Sequence, residues 1–198
     1  MIHLLERNRK EVRLSIHKMF LDAPENVIAA IAHYLRGTRK NRSLYDQEIK
    51  NYIHINLERF DYSHLLNKQE LLTQGVFYDL EKIYHDINHQ YFNSSLDLHL
   101  TWFGKRWAKN RSRIVFGQYL TTLKLVKIHR MLDDPFFPEF FVSFILYHEM
   151  LHAHVPATLD ERGKCHIHGR AFKEQEKKFR YYREAIAWER ANKDKFFK

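Results

Sequence analysis

Polar and apolar residues alternate along 11–20, where Arg13 and Ser15 separate Val12, Leu14 and Ile16, and that period predicts a half-buried strand. Past Pro24 the period lengthens. Val27, Ile28, Ile31, Ala32 and Leu35 fall on one face of a helix over 22–35. A basic loop, 37–42, leads to a second helix over 44–58, and 61–70 reads as irregular. Phe77, Leu80, Tyr84, Ile87 and Tyr91 predict a third helix over 75–91. Three strand-like runs follow at 96–103, 113–119 and 123–129, with a polar connection over 104–110. Next comes an apolar stretch, 140–155, of helical length. Pro138 suits its first turn and Pro156 marks its end. Beyond a polar loop, 157–167, Phe172, Phe179 and Ile186 line one face of a long last helix. This order predicts an α+β protein in which a small β-sheet packs on the buried helix, with further helices on its N- and C-terminal sides. No internal repeat or low-complexity linker interrupts the chain.

The buried stretch holds residues that packing does not call for: His148-Glu149-Met150-Leu151-His152. Two histidines and a glutamate are costly to bury without a metal or polar partners. On a helix, positions i and i+4 share a face, so His148 and His152 can grip one ion. Glu149 is turned partly aside, placed to reach water at the ion's open side without becoming a ligand. That is the arrangement of a zinc hydrolase with Glu149 as general base. The plainer alternative is a pair of satisfied core histidines. Against it stands the local crowding of His148, His152, His154, His166 and His168, which a core does not need.

A catalytic zinc takes three protein ligands and keeps a fourth position for water. His154 is two residues past His152 and points off the shared face. The continuation H-x-x-G-x-x-H is absent, because Val155 stands where the glycine would be. His166, His168, Glu174 and Glu176 remain as third-ligand candidates. The two glutamates each sit four residues before a cation, Lys178 and Arg180, as solvated helix pairs do.

His148-Glu149-Met150-Leu151-His152-Ala153, followed after a polar loop by His168-Gly169-Arg170-Ala171-Phe172, resembles the SprT-like zinc metalloprotease family, the SprT and Spartan type, with its H-E-x-x-H-A and H-G-x-x-F elements. The resemblance covers about 75–190. Its upstream part, through Tyr91-Phe92-Asn93, Leu96, 113–117, Tyr119 and Ile128, is the less specific. It implies a zincin-like fold, Zn2+ as cofactor, His148, His152 and His168 as metal ligands, and Glu149 as the catalytic acid/base. A physical reason also favours His168: Gly169 permits a close approach where a new helix begins. The implied activity is an endopeptidase with a protein or peptide substrate, extending to DNA-associated proteins. Substrate would lie along an edge strand, 113–119 being the first to examine. Tyr181, Tyr182, Arg170 and His166 are candidate oxyanion donors, and Asp160 and Glu161 candidate partners of the ligands' outer nitrogens. The expected division is a mainly helical segment, 1–66, packed on the same domain, and a metalloprotease domain over 67–198. The alternative function is a zinc-containing binding or regulatory protein with little turnover. Glu149 argues against it, and His166 is the residue that would close such a structural site.

Composition narrows the setting. The formal charge is +9, with basic clusters over 36–42, 105–113 and 173–183. Trp107 among the cations of the second invites a nucleic-acid reading, with DNA as partner. In the third, Glu174, Glu176 and Glu184 are those of a solvated helix face. A single cysteine, Cys165, excludes an internal disulfide and the four-cysteine ribbon that some SprT-like proteins carry. The first residues turn charged at once, with no signal-peptide core, and no apolar run reaches membrane-spanning length. The expectation is a cytoplasmic protein with no membrane contact.

Overall fold

A computed structural model of the chain describes residues 2–7, 11–36, 42–57, 59–105, 114–160 and 165–197. Most of the first and second basic clusters, with Trp107 and Arg113, and also Glu161 lie outside the described residues. The chain forms two compact units, Met1–Arg59 with Leu159–Cys165, and Phe60–Thr158 with His166–Lys198.

In the first unit, strands β1 (Ile2–Arg7) and β2 (Val12–Ile16) pair antiparallel, with an irregularity between Leu4 and Glu6. The alternation over 11–20 does mark a strand, but Val12 and Ile16 are exposed rather than half-buried. A two-stranded ribbon buries little by itself. Helices α1 (Glu25–Arg36) and α2 (Arg42–Leu57) pack together. Val27, Ala30, Ile31 and Ile49 are buried, along with Met19 and Phe20 from the turn before α1. Ile28 is exposed, so the buried stripe is rotated from the expected one toward Ala30. Phe20 stacks on Tyr52 with ring centroids 5.6 Å apart, and the Tyr52 hydroxyl donates to the Met19 carbonyl at 2.7 Å.

The second unit opens with two short 3-10 turns, Ser63–Leu65 and Lys68–Glu70, in the stretch that reads as irregular. Helix α3 (Leu80–Phe92) starts five residues later than its apolar pattern predicts. Asp133, almost fully buried, accepts the backbone N–H groups of Val76, Phe77 and Tyr78 at 2.7, 2.8 and 3.1 Å. Those donors are therefore held in a loop. Asp79 then caps α3 by accepting from the Glu81 and Lys82 N–H groups. Phe77, the first residue of the expected apolar face, is exposed.

Strands β3 (His99–Phe103), β4 (Gly117–Leu120) and β5 (Leu125–His129) form one sheet in the order β3-β5-β4. β3 runs parallel to β5, and β4 pairs antiparallel with β5 at the sheet's edge. Leu100, Trp102, Leu125, Val126 and Ile128 are buried. Helix α4 (Glu139–His154) packs on β4, β5, α3 and the helices that follow. Phe141, Val142, Leu146, Met150 and Leu151 leave it almost no exposed apolar surface. A helix buried on so many sides has no amphipathic stripe, which is why its pattern reads as one apolar run.

The expected long last helix is two: α5 (Arg170–Glu176) and α6 (Tyr182–Asn192). No glycine or proline marks the break. Its cause is tertiary. The Tyr147 hydroxyl donates to the Gln175 carbonyl at 2.8 Å, and the Phe179 N–H turns to Glu176 rather than to the carbonyl four residues back. Phe179 itself is buried against Tyr91, Phe144 and Tyr147. The Arg180 N–H leaves the helical pattern for the Tyr91 hydroxyl at 3.0 Å. The result is an α+β arrangement of six helices and small mixed sheets among the described residues, with no helix long and apolar enough to cross a membrane.

Candidate metal centre

α4 places His148 and His152 one turn apart on the side facing α5, their ring centroids 5.1 Å apart. His168 arrives from the turn that enters α5, with its ring 5.0 Å from His148 and 4.8 Å from His152. One ligand atom from each of the three lies within 4.8 Å of the others. The Nε2 atoms of His152 and His168 are 3.1 Å apart. Two nitrogens on one tetrahedral ion at zinc-like bond lengths are about 3.3 Å apart, so this spacing needs little change to bind. Among the described residues no fourth His, Cys, Asp or Glu joins the triplet. The donor set of three imidazoles fits a transition-metal ion that keeps a position open.

Local sequence explains the convergence. Gly169 has an extended backbone, and a Cβ there would lie 3.0 Å from the Thr158 hydroxyl, so the turn can close tightly just after His168. Phe172, one turn into α5, is 1% exposed, and its ring lies 5.1, 4.8 and 4.7 Å from those of His148, His152 and His168. It forms an apolar floor beneath all three. Another turn along, Glu176 Oε1 is 2.7 Å from His148 Nδ1. A carboxylate only accepts, so Nδ1 donates and the lone pair is left on Nε2. His168, in turn, is held below the usual histidine range, first by burial and then by the charge of His148, which favours the neutral ligand form.

Glu149 occupies a different face of α4. It is 7% exposed and rests against the edge strand: a Cβ on Gly117 would lie 2.6 Å from its side chain, and the Tyr119 N–H hydrogen-bonds its carboxylate. Burial pushes its pKa up to about 7, with the charge of His148 and the Tyr119 N–H acting in the opposite sense. Glu149 is thus a buried carboxyl beside His148 whose charge state changes near neutrality.

The other residues singled out by sequence fall elsewhere. His154 lies edge-on against Phe92, off the metal face as its spacing predicts. Glu174 pairs with Arg170 at 2.8 Å on an exposed surface, rather than with Lys178. Glu176 serves His148 and not Arg180, whose guanidinium lies over the Tyr181 ring. His166 is not part of the triplet. Of the candidate oxyanion donors, Tyr182 packs edge-on against Phe144, Tyr181 tilts against Phe140, and Arg170 is almost fully exposed. Two further residues near the site were given no role in it by the sequence. Gly117 makes room for Glu149. Glu189 on α6 is half-buried, its carboxyl raised by burial and drawn back down by Lys193 and His148. Glu176, a third-ligand candidate by sequence, meets His148 from outside the triplet, and the spacing 168-172-176 relates the ligand, the floor and the carboxylate by four-residue steps.

Neither a family model, a curated protein nor a solved structure matches the chain.

Proposed function

We propose that the protein is a zinc-dependent endopeptidase of the SprT-like, zincin kind. The observation that carries this is the convergence of His148, His152 and His168 at a helix whose next residue after His148 is the buried Glu149. Sequence supports the same reading through the H-E-x-x-H-A and H-G-x-x-F elements. So does the mixed sheet, which sets an antiparallel edge strand, β4, against the H-E-x-x-H helix.

His148, His152 and His168 would hold the ion. When bound, zinc supplies Lewis acidity toward a peptide carbonyl and toward water. Glu149 takes a proton from the attacking water and delivers it to the leaving amine, and a carboxyl near pH 7 suits both halves of that task. Tyr119 holds the Glu149 carboxylate through its N–H, and Gly117 leaves the space for it. An extended substrate chain would run beside β4, the edge strand next to the base. Association with DNA belongs to the same reading. It rests on the +9 charge and on the resemblance to a family that includes a DNA-repair protease.

The test is hydrolysis of unfolded and DNA-bound proteins by zinc-loaded protein, with and without DNA, beside Glu149→Gln. The variant is expected to keep its zinc and to lose about 10²–10⁴-fold in turnover. Equal turnover in the variant would reject Glu149 as the base. Zinc binding with no turnover in either protein would leave the binding-protein role instead.

A further inference from the structure

We infer that Glu176 is the outer carboxylate that fixes the tautomer and aim of His148, which makes α5 the element that organises the metal centre. This rests on the metal-binding reading above.

Three observations carry it. The Glu176 carboxylate is 2.7 Å from His148 Nδ1, and both side chains are mostly buried, 17% and 25% exposed. An acceptor on Nδ1 leaves Nε2 as the nitrogen able to bind an ion, and Nε2 is also the atom through which His152 and His168 meet. The two ring nitrogens point to opposite sides of the imidazole. A carboxylate seated on Nδ1 is therefore an orienting group and not a fourth ligand. Second, the contact is reinforced. Tyr147, the residue before His148, donates to the carbonyl of Gln175, the residue before Glu176, so two neighbouring bonds tie α4 to α5 at this point. Third, His168, Phe172 and Glu176 follow one another at four-residue steps. One short helix and the turn that enters it thus bring a ligand, the floor under all three rings, and the orienting carboxylate. The commonplace role for such a glutamate, a solvated pair with a cation one turn away, belongs to Glu174, which pairs with exposed Arg170.

Zinc affinity, measured by competition with a chromophoric chelator, tests this in the full chain. Glu176→Ala is expected to bind about 10- to 100-fold more weakly than the unaltered protein, the usual effect of losing such a group. Glu176→Gln keeps an oxygen that accepts the Nδ1–H, so its loss should be smaller. Glu174→Gln should bind as the unaltered protein does. Long-range proton–nitrogen correlation spectra of the zinc-loaded protein should show His148 protonated at Nδ1 and metallated at Nε2. A purely structural glutamate would not set that signature. If Glu176→Ala fails to fold, the isosteric Glu176→Gln carries the test through its affinity and its His148 spectrum. Unaltered protein that binds one zinc while both Glu176 variants match it within about threefold would overturn the role of Glu176 alone. A His148 metallated through Nδ1 would do the same. Unaltered protein that binds no zinc would overturn the metal centre itself, and this role with it.

Discussion

The two polar faces of α4 are built from different materials. The face carrying His148 and His152 is completed by side chains from α5 and the turn that enters it: His168 closes the triplet, Phe172 lies beneath it, and Glu176 holds His148. The face carrying Glu149 is completed by backbone from β4, with the missing Cβ of Gly117 and the N–H of Tyr119. On the proposed function, the difference predicts that metal affinity and base strength are separable. Changes on α5 should loosen the ion and leave Glu149 in place. Changes on β4 should disturb the base and leave the three histidines converged.

The largest structural effect should come from the α5 side. Phe172→Ala removes a buried ring touched by all three imidazoles and should cost about 3–5 kcal/mol of stability, read by denaturant unfolding, along with much of the zinc affinity. Zinc binding at full strength in that variant would show that the floor does not position the ligands.

Next comes the charge state of Glu149. Its pKa in the folded chain is raised to about 7 from an ordinary value of 4.5, so the folded state binds this proton more tightly than the unfolded one. Its contribution to stability is complete below about pH 4.5 and is lost as the pH rises through 7, about 3 kcal/mol in all. Chelator-treated protein should therefore unfold more easily at pH 8 than chelator-treated Glu149→Gln, and the gap should close toward pH 4.5. Parallel stability profiles for the two proteins would contradict the burial of this carboxyl.

A smaller effect is expected on the β4 side. Gly117→Ala places a methyl group into the Glu149 side chain and should cost about 1–3 kcal/mol through overpacking. Turnover should fall with zinc affinity unchanged. If the variant loses zinc instead, the two faces are not independent.

How far the sequence could be read follows the same division. His148, Glu149 and His152 were legible because an i, i+4 spacing within one helix is a local property, and His168 because a second short motif marks it. α4 itself was legible because a helix covered on nearly every side shows as an unbroken apolar run between two prolines. The three sheet strands fell close to their expected places for a related reason, since their β-branched and aromatic runs are set off by turns. What escaped was set by contacts distant in sequence. The late start of α3 depends on Asp133, more than fifty residues away. The break between α5 and α6 depends on Tyr147 and Tyr91, whose hydroxyls take over backbone groups that a continuous helix would use. Gly117 looks like any strand glycine until the fold brings Glu149 against it.

X-ray absorption at the zinc edge, on protein purified without chelator, tests the convergence of the three histidines most directly. It should show about one zinc per chain with three imidazole nitrogens at about 2.0–2.1 Å and one further light ligand, and His168→Ala should abolish that pattern. Protein that holds no transition metal, or a zinc ligated without His168, would contradict it.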